Sequence, residues 1–330
     1  MHYRKNFILL LEPFISSIEN ELKRFEEVYA SILRSECDLL NTSIGVILSS
    51  SGKKIRPAFS LLIAKNCGAI SEDTINSSVF LELLHTATLL HDDVVDDTLL
   101  RRGKPSLNAI YQNKVAVLVG DYFLSTALMM AMQTANLQLI SIVSTTGRDL
   151  SEGELFQLES IREMVFSEER YNEIIFRKTA SLFSACCQIG AITGGAEKDV
   201  VELYGKFGER IGMAFQIKDD IFDYFEEAEI GKPTGNDLRE GKVTLPLLYA
   251  LTCAEKQVRP FFDIIHAKDF TDENIARLIT FAKEQGGIEY AEKKIEIHIK
   301  EALDILDVIS YPNNKIELAA LAQYVANRTR

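Results

Sequence analysis

Cysteine is scarce in this chain and never paired in a way that marks a metal clip or a redox site. The five cysteines (Cys37, Cys67, Cys186, Cys187, Cys253) show no CxxC spacing. Their odd number, with no secretory signal, favours reduced thiols in a cytoplasmic protein, and the adjacent Cys186 and Cys187 read as buried packing. Proline is sparse too: seven residues, scattered. No Ser/Gly-rich or charged low-complexity run interrupts the 330 residues, so nothing marks a linker. Length alone suggests about two domains; the missing linker favours one domain spanning 1–330. No apolar stretch reaches the ~18–20 residues of a membrane span. The run Phe7 to Leu11 stops at Glu12 and Pro13, too soon for a secretory signal. Positive charge is in deficit, with 36 basic against 48 acidic residues and a net charge of -12. That argues against a nucleic-acid backbone as partner but leaves room for a phosphate in a local basic pocket. Neither a GxxxxGK[ST] loop nor a GxGxxG fingerprint is present, so nucleotide binding of those kinds lacks support.

What the chain does have is apolar content, 47 %, arranged with helical period. Ile295, Ile299, Ala302, Leu303, Leu306 and Ile309 follow steps of three and four. Phe80, Leu83, Leu84, Ala87, Leu90, Val94 and Val95 do much the same, and Leu81 and Leu89 widen the apolar surface until it nearly encircles the helix. Such a helix belongs at the centre of a bundle. The segments 174–192 and 205–225 read as further central helices. In the latter, Gly205, Gly208 and Gly212 disfavour an isolated helix but permit close approach of neighbours. The run Val115 to Val119 is strand-like by propensity, but its flanks make it helix. The expected fold is all-α, a single-domain bundle around a central apolar cavity. Three basic connections, 51–57, 101–106 and 231–242, flank helix ends.

Two acidic clusters carry the chemistry: 92-DDVVD-96 and 219-DDIFD-223. In a helix, Asp92 and Asp96 project from one face a turn apart, as do Asp219 and Asp223. Like charges at that spacing repel, and carboxylates in apolar helices are costly, unless a cation sits between them. Magnesium suits this arrangement, because it binds through a few carboxylates and completes its shell with waters and substrate phosphates. The basic candidates are Lys53, Arg56, Arg101, Arg102, Lys178, Lys232 and Lys242. Carboxylates and cations without an evident nucleophile point to phosphate chemistry. A single DDxxD is usually a solvated helix face; two copies in apolar helices with flanking Arg pairs are not.

HDDVVDDTLLRRG and FQIKDDIFDY resemble the motifs of the trans-isoprenyl diphosphate synthase family. So do 52-GKKIRP-57, 82-ELLHTATLLHDD-93, 153-GELFQ-157, 178-KTA-180 and 241-GKVTLP-246, in order along the chain. The resemblance implies an all-α fold with a central cavity, a Mg2+ requirement and a homodimer. It also implies condensation of isopentenyl diphosphate with an allylic diphosphate such as farnesyl or geranyl diphosphate. Carried over, Asp92, Asp96, Asp219 and Asp223 ligate the metal, with Asp93 and Asp220 in partial or supporting roles. Arg101, Lys178 and Lys242 bind the allylic diphosphate; Lys53, Arg56, His85 and Arg102 bind isopentenyl diphosphate. Gln157, Thr179 and Gln216 orient ligands near the reacting carbons, and Lys232 closes over the site. Peripheral membrane contact offers a route for product release. On its own, His85 on an apolar face is more often a core residue.

Product length is argued from the residues before the first cluster. Ala87 and Thr88 lie ~6–7.5 Å before Asp92 along the helix. Small Ala87 leaves a tunnel open, and Phe123, Met129, Met130 and Met132 are candidate floors. The expected product is octaprenyl-like, with hexaprenyl, heptaprenyl or shorter as alternatives. Three rivals stand beside this reading. A terpene cyclase needs no second diphosphate site of Lys53, Arg56 and Arg102. A non-catalytic subunit of a heteromeric synthase should have lost one acidic cluster. A metal phosphohydrolase built on His91 and Asp92 lacks its remaining ligands, and His91 reads as a hydrogen-bonding wall residue.

Overall fold

The computed structural model describes residues 16–49, 52, 54–101, 103–225, 234–253, 258–311 and 315–328. Lys53, Arg102 and Lys232, singled out above as diphosphate or closure residues, lie outside the described residues. In chain order the first helices are α1 (Glu19–Ile32), α2 (Asp38–Ser49), α3 (Ile55–Cys67) and α4 (Glu72–Val95). A hairpin of two-residue strands follows, β1 (Leu100–Arg101) and β2 (Lys104–Pro105), antiparallel. Then come α5 (Leu107–Gln133), α6 (Leu137–Glu163), α7 (Glu168–Ile175), a π-helical turn at Phe176–Ala180, α8 (Ser181–Thr193) and α9 (Lys198–Phe222). The last helices are the four-residue α10 (Asn236–Arg239), α11 (Leu245–Cys253), α12 (Arg259–Ala267), α13 (Asp272–Glu284), α14 (Gly287–Val308) and α15 (Lys315–Asn327). The fold is all-α, as the periodicity predicts; the hairpin and the π turn are what it did not reveal.

The chain forms two compact units. The first comprises Met1–Arg148, Leu182–Gly208 and Leu303–Ala322; the second comprises Asp149–Ser181, Glu209–Ala302 and Gln323–Arg330.

In the first unit α4 is the central rod, packed on α5, α1 and α3. It starts at a reciprocal cap: Ser71 Oγ accepts from the Thr74 amide and Thr74 Oγ1 accepts from the Ser71 amide. Phe80, Leu81, Leu83, Leu84 and Ala87 are fully buried along it, each large side chain contributing ~1.5–3 kcal/mol. Helices α8 and α9 approach through glycine. A Cβ on Gly208 would sit 2.5 Å from the Phe183 carbonyl oxygen, which explains the small residues read from that segment. Cys186 and Cys187 are buried packing, as expected.

Helix α5 corrects two expectations. It is long and apolar enough to cross a membrane by length and composition, contrary to the reading that no segment is. Its buried residues, among them Ala116, Val119, Phe123, Ala127 and Met130, account for part of that character, since the helix packs on α4. Exposed residues account for the rest. Met129 and Met132 are 51 % and 63 % exposed, so neither floors a cavity within this chain. A helix turns 100° per residue, which separates them from their buried neighbour Met130.

In the second unit, the π turn carries Lys178 and Thr179, and α9 passes close beside it. A Cβ on Gly212 would lie 2.4 Å from Ala180 Cα. Such π turns insert one residue into a helix and recur at functional sites.

Candidate active site

Each acidic cluster sits at the carboxyl end of a helix. Asp92 and Asp93 lie in the last turn of α4 and Asp96 is its C-cap. Asp219 and Asp220 lie in the last turn of α9, and Asp223 follows that helix. Unpaired carbonyls already make a helix C-terminus negative, so carboxylates there strengthen the local demand for a cation.

In the first unit, Asp92 and Asp96 are half-buried and Asp93 is buried. Asp93 is held by Arg101, delivered by the β hairpin. Arg101 Nη2 donates to Oδ1 at 2.6 Å and Nε donates to Oδ1 and Oδ2 at 2.8 and 2.9 Å. Asn108 on α5 donates to the Asp93 carbonyl at 3.0 Å. About two turns back along α4, His85 Nε2 accepts from Arg56 Nη1 at 3.0 Å. That bond makes Nε2 the acceptor, since a guanidinium can only donate. Arg56 also stands over the Phe183 ring, 5.2 Å from its centroid. His91 Nε2 donates to the Val117 carbonyl at 3.3 Å and packs where Gly120 has no side chain.

A cavity of about 450 Å³ opens in this unit, walled in part by Tyr29, Ile47, His85, Leu89, Asp93 and Arg101. Lys54 also lines it and pairs with Glu26. Ala87 is buried and Thr88 half-buried on another face of α4. Phe123 is fully buried.

In the second unit a chain of hydrogen bonds converges on Asp220. Tyr171 Oη donates to Oδ2 at 2.6 Å and Gln216 Nε2 donates to Oδ1 at 2.9 Å. Thr179 Oγ1 donates to Gln216 Oε1 at 2.6 Å. Asp220 is buried, and burial pushes its carboxyl up to about 7 despite these donors, with Asp219 and Asp223 adding like charge. Asp223 accepts the backbone amides of Asn236 and Asp237 at 2.9 and 3.0 Å, at the start of α10. Burial, then Asp220 and Asp223, raises the Asp237 carboxyl well above its ordinary value. Lys178 pairs with Glu154 and donates to Gln157 Oε1 at 3.1 Å. Lys242 donates to Glu240 at 2.5 Å.

Hydrogen bonds thus link Thr179 and Gln216 to Asp220, and Lys178 to Gln157 beside them. The sequence reading did not pick out Tyr171, Glu154, Asp237 or Arg328. Glu154 lies inside the GELFQ motif and could have been found there. The other three show no local signal.

The donor set suits a hard divalent cation. Among the described residues no group of three or more His, Cys, Asp or Glu is arranged to hold a metal alone. Each cluster instead presents two half-buried carboxylates beside a buried second aspartate. That fits an ion that takes the rest of its shell from water and phosphate, not an all-protein cage.

Residues 37–281 match the family model described as polyprenyl synthetase. The chain belongs to the polyprenyl synthetase family. It is an enzyme, a trans-polyprenyl diphosphate synthase that transfers prenyl groups. It is 30 % identical to an octaprenyl diphosphate synthase of Haemophilus influenzae, over 98 % of this chain and 99 % of that protein. It is 34 % identical to a heptaprenyl diphosphate synthase component 2 of Bacillus subtilis, over 95 % and 89 %. A polyprenyl synthase of Caulobacter crescentus, solved with calcium and isoprenyl diphosphate, superposes with a TM-score of 0.91 at 28 % identity, over 97 % and 98 %. A geranylgeranyl pyrophosphate synthase of Bacteroides thetaiotaomicron does so with 0.83 at 41 % identity, over 98 % and 100 %.

Proposed function

We propose that this synthase condenses isopentenyl diphosphate with an allylic diphosphate to make a long all-trans chain, octaprenyl-like in length. The observation that carries the reaction is the repeated arrangement at the ends of α4 and α9. In both, paired half-buried carboxylates stand beside cations, and no nucleophile is needed. Asp92 and Asp96, and Asp219 and Asp223, would hold magnesium, which would supply Lewis-acid stabilisation of a departing diphosphate. Asp93 and Asp220 support the ligands from behind. Arg101, Lys178 and Lys242 neutralise the allylic diphosphate. Arg56 and His85, with Lys53 and Arg102, hold isopentenyl diphosphate so that its double bond meets the allylic carbon. Gln157, Thr179 and Gln216 orient the reactants, and Lys232 closes the loop over them. The apolar lining excludes water from the allylic cation.

Long-chain output is supported by small, buried Ala87 and by the octaprenyl relative; the geranylgeranyl relative keeps shorter products in play. A homodimer is supported by the outer side of α5, where Leu118, Leu128, Met129 and Met132 are 40–68 % exposed, more apolar surface than a lone helix usually shows water. The Bacillus component favours a second reading, in which this chain needs a partner subunit. Reduced thiols support a cytoplasmic location.

The test is direct. Purified chain with Mg2+, farnesyl diphosphate and labelled isopentenyl diphosphate should give a product ladder ending near eight isoprene units. A ladder ending at four overturns the long-chain reading. No product from the pure chain, restored by a second subunit, favours the heteromeric one.

A further inference from the structure

Arg328 follows α15 and pairs with the first aspartate of the second cluster. Its Nη2 donates to Asp219 Oδ1 at 2.7 Å and to the Phe215 carbonyl at 2.9 Å. The guanidinium carbon lies 3.9 Å from the Phe215 ring centroid and 5.3 Å from that of Phe222. Its side chain is 5 % exposed and Asp219's is 41 %. Two hydrogen bonds and two rings therefore fix a buried positive charge on a half-open carboxylate. Stability alone does not account for this placement. A buried arginine is costly, and here its Nε finds no partner among the described residues.

We propose, building on the metal reading above, that Arg328 is a built-in counter-ion and positioning residue for Asp219. It offsets the mutual repulsion of Asp219, Asp220 and Asp223 while the metal is away. It occupies Oδ1, which leaves Oδ2 as the oxygen to face a ligand. Two opposed effects follow for a divalent ion. Holding the carboxylate in one rotamer favours binding. A fixed cation sharing that carboxylate opposes it, and the charge product with a divalent ion is twice that of an ordinary ion pair. At such short range the repulsion outweighs the ordering of one short side chain. Arg328 thus keeps bare metal off this cluster and reserves it for a metal that arrives with diphosphate, whose negative charge cancels the repulsion.

The test is Mn2+ binding to the full chain, counted by electron paramagnetic resonance of the free ion, with and without inorganic diphosphate. Arg328→Gln should bind Mn2+ alone about tenfold more tightly than wild type. The gain should vanish in Arg328→Gln with Asp219→Asn, and diphosphate should narrow the difference. Phe222→Leu, which frees the guanidinium to swing away, should shift affinity in the same direction by less; it serves if Arg328→Gln fails to fold. Arg328→Lys keeps the charge and should stay near wild type. Unchanged or weaker Mn2+ binding in folded Arg328→Gln, or in Phe222→Leu in its place, overturns the inference. If wild type binds no Mn2+ even with diphosphate, the metal reading itself fails.

Discussion

The two aspartate clusters look interchangeable in one dimension and differ in three. Both end a helix, both bury the second aspartate and both leave the first and fifth half-open. The buried member is satisfied differently. Asp93 has a cation, Arg101, along one whole edge. Among the described residues Asp220 has neutral donors, Tyr171 and Gln216, and its carboxyl rises to about 7. Burial without a cation beside it lets a carboxylate such as Asp220 take up a proton. The arginine therefore sits differently in the two clusters: Arg101 pairs with the buried Asp93 of the first, and Arg328 with the half-open Asp219 of the second.

The largest expected effect treats the clusters alike. Asp92→Ala and Asp219→Ala should each lower turnover by about three orders of magnitude or more, the scale of losing a charge-stabilising group, with unchanged circular dichroism. Wild-type rates in either variant would sink the metal assignment. The next effect separates them. Asp93→Asn leaves Arg101 without its charge partner and should cost about 2–3 kcal/mol in urea melts, below the ~3–5 kcal/mol of a fully buried pair because Arg101 is partly exposed. Asp220→Asn keeps neutral hydrogen bonding and should cost under about 1 kcal/mol. Equal losses would erase the distinction drawn here.

A pH series sharpens it. The folded Asp220 carboxyl lies above its ordinary value of 3.8, at about 7, so the folded state holds a proton that the unfolded state has released. Metal-free protein should lose stability as pH climbs from about 4 to about 7, and Asp220→Asn should flatten that slope. Tyr171→Phe removes one donor and should cost about 1 kcal/mol while raising that carboxyl further. The smallest effect on the fold, though not on product, is Ala87→Tyr, which should shorten the product ladder seen by chromatography; an unchanged ladder would refute the tunnel reading.

Much of this was readable in advance where the determinants are local. Steps of three and four located α4 and α14, because a helix repeats every 3.6 residues whatever it packs against. The glycines of α9 foretold close packing. Met129 and Met132 were misread because an apolar residue has the same signature inside a core and on an exposed face. The apolar length of α5 was underestimated for a related reason: charged Lys114 and Asp121 break the run without abolishing its mean hydropathy.

Spacing alone determined that this chain is helical and that it carries two sets of aspartates one turn apart, since both follow from backbone periodicity. Tertiary structure decided which partner each carboxylate would meet. Arg101 reaches Asp93 from a hairpin, and Tyr171 and Arg328 reach Asp220 and Asp219 from 49 and 109 residues away. Ionisation depends on burial and on charges within a few ångströms, and neither distance is written in the order of the residues.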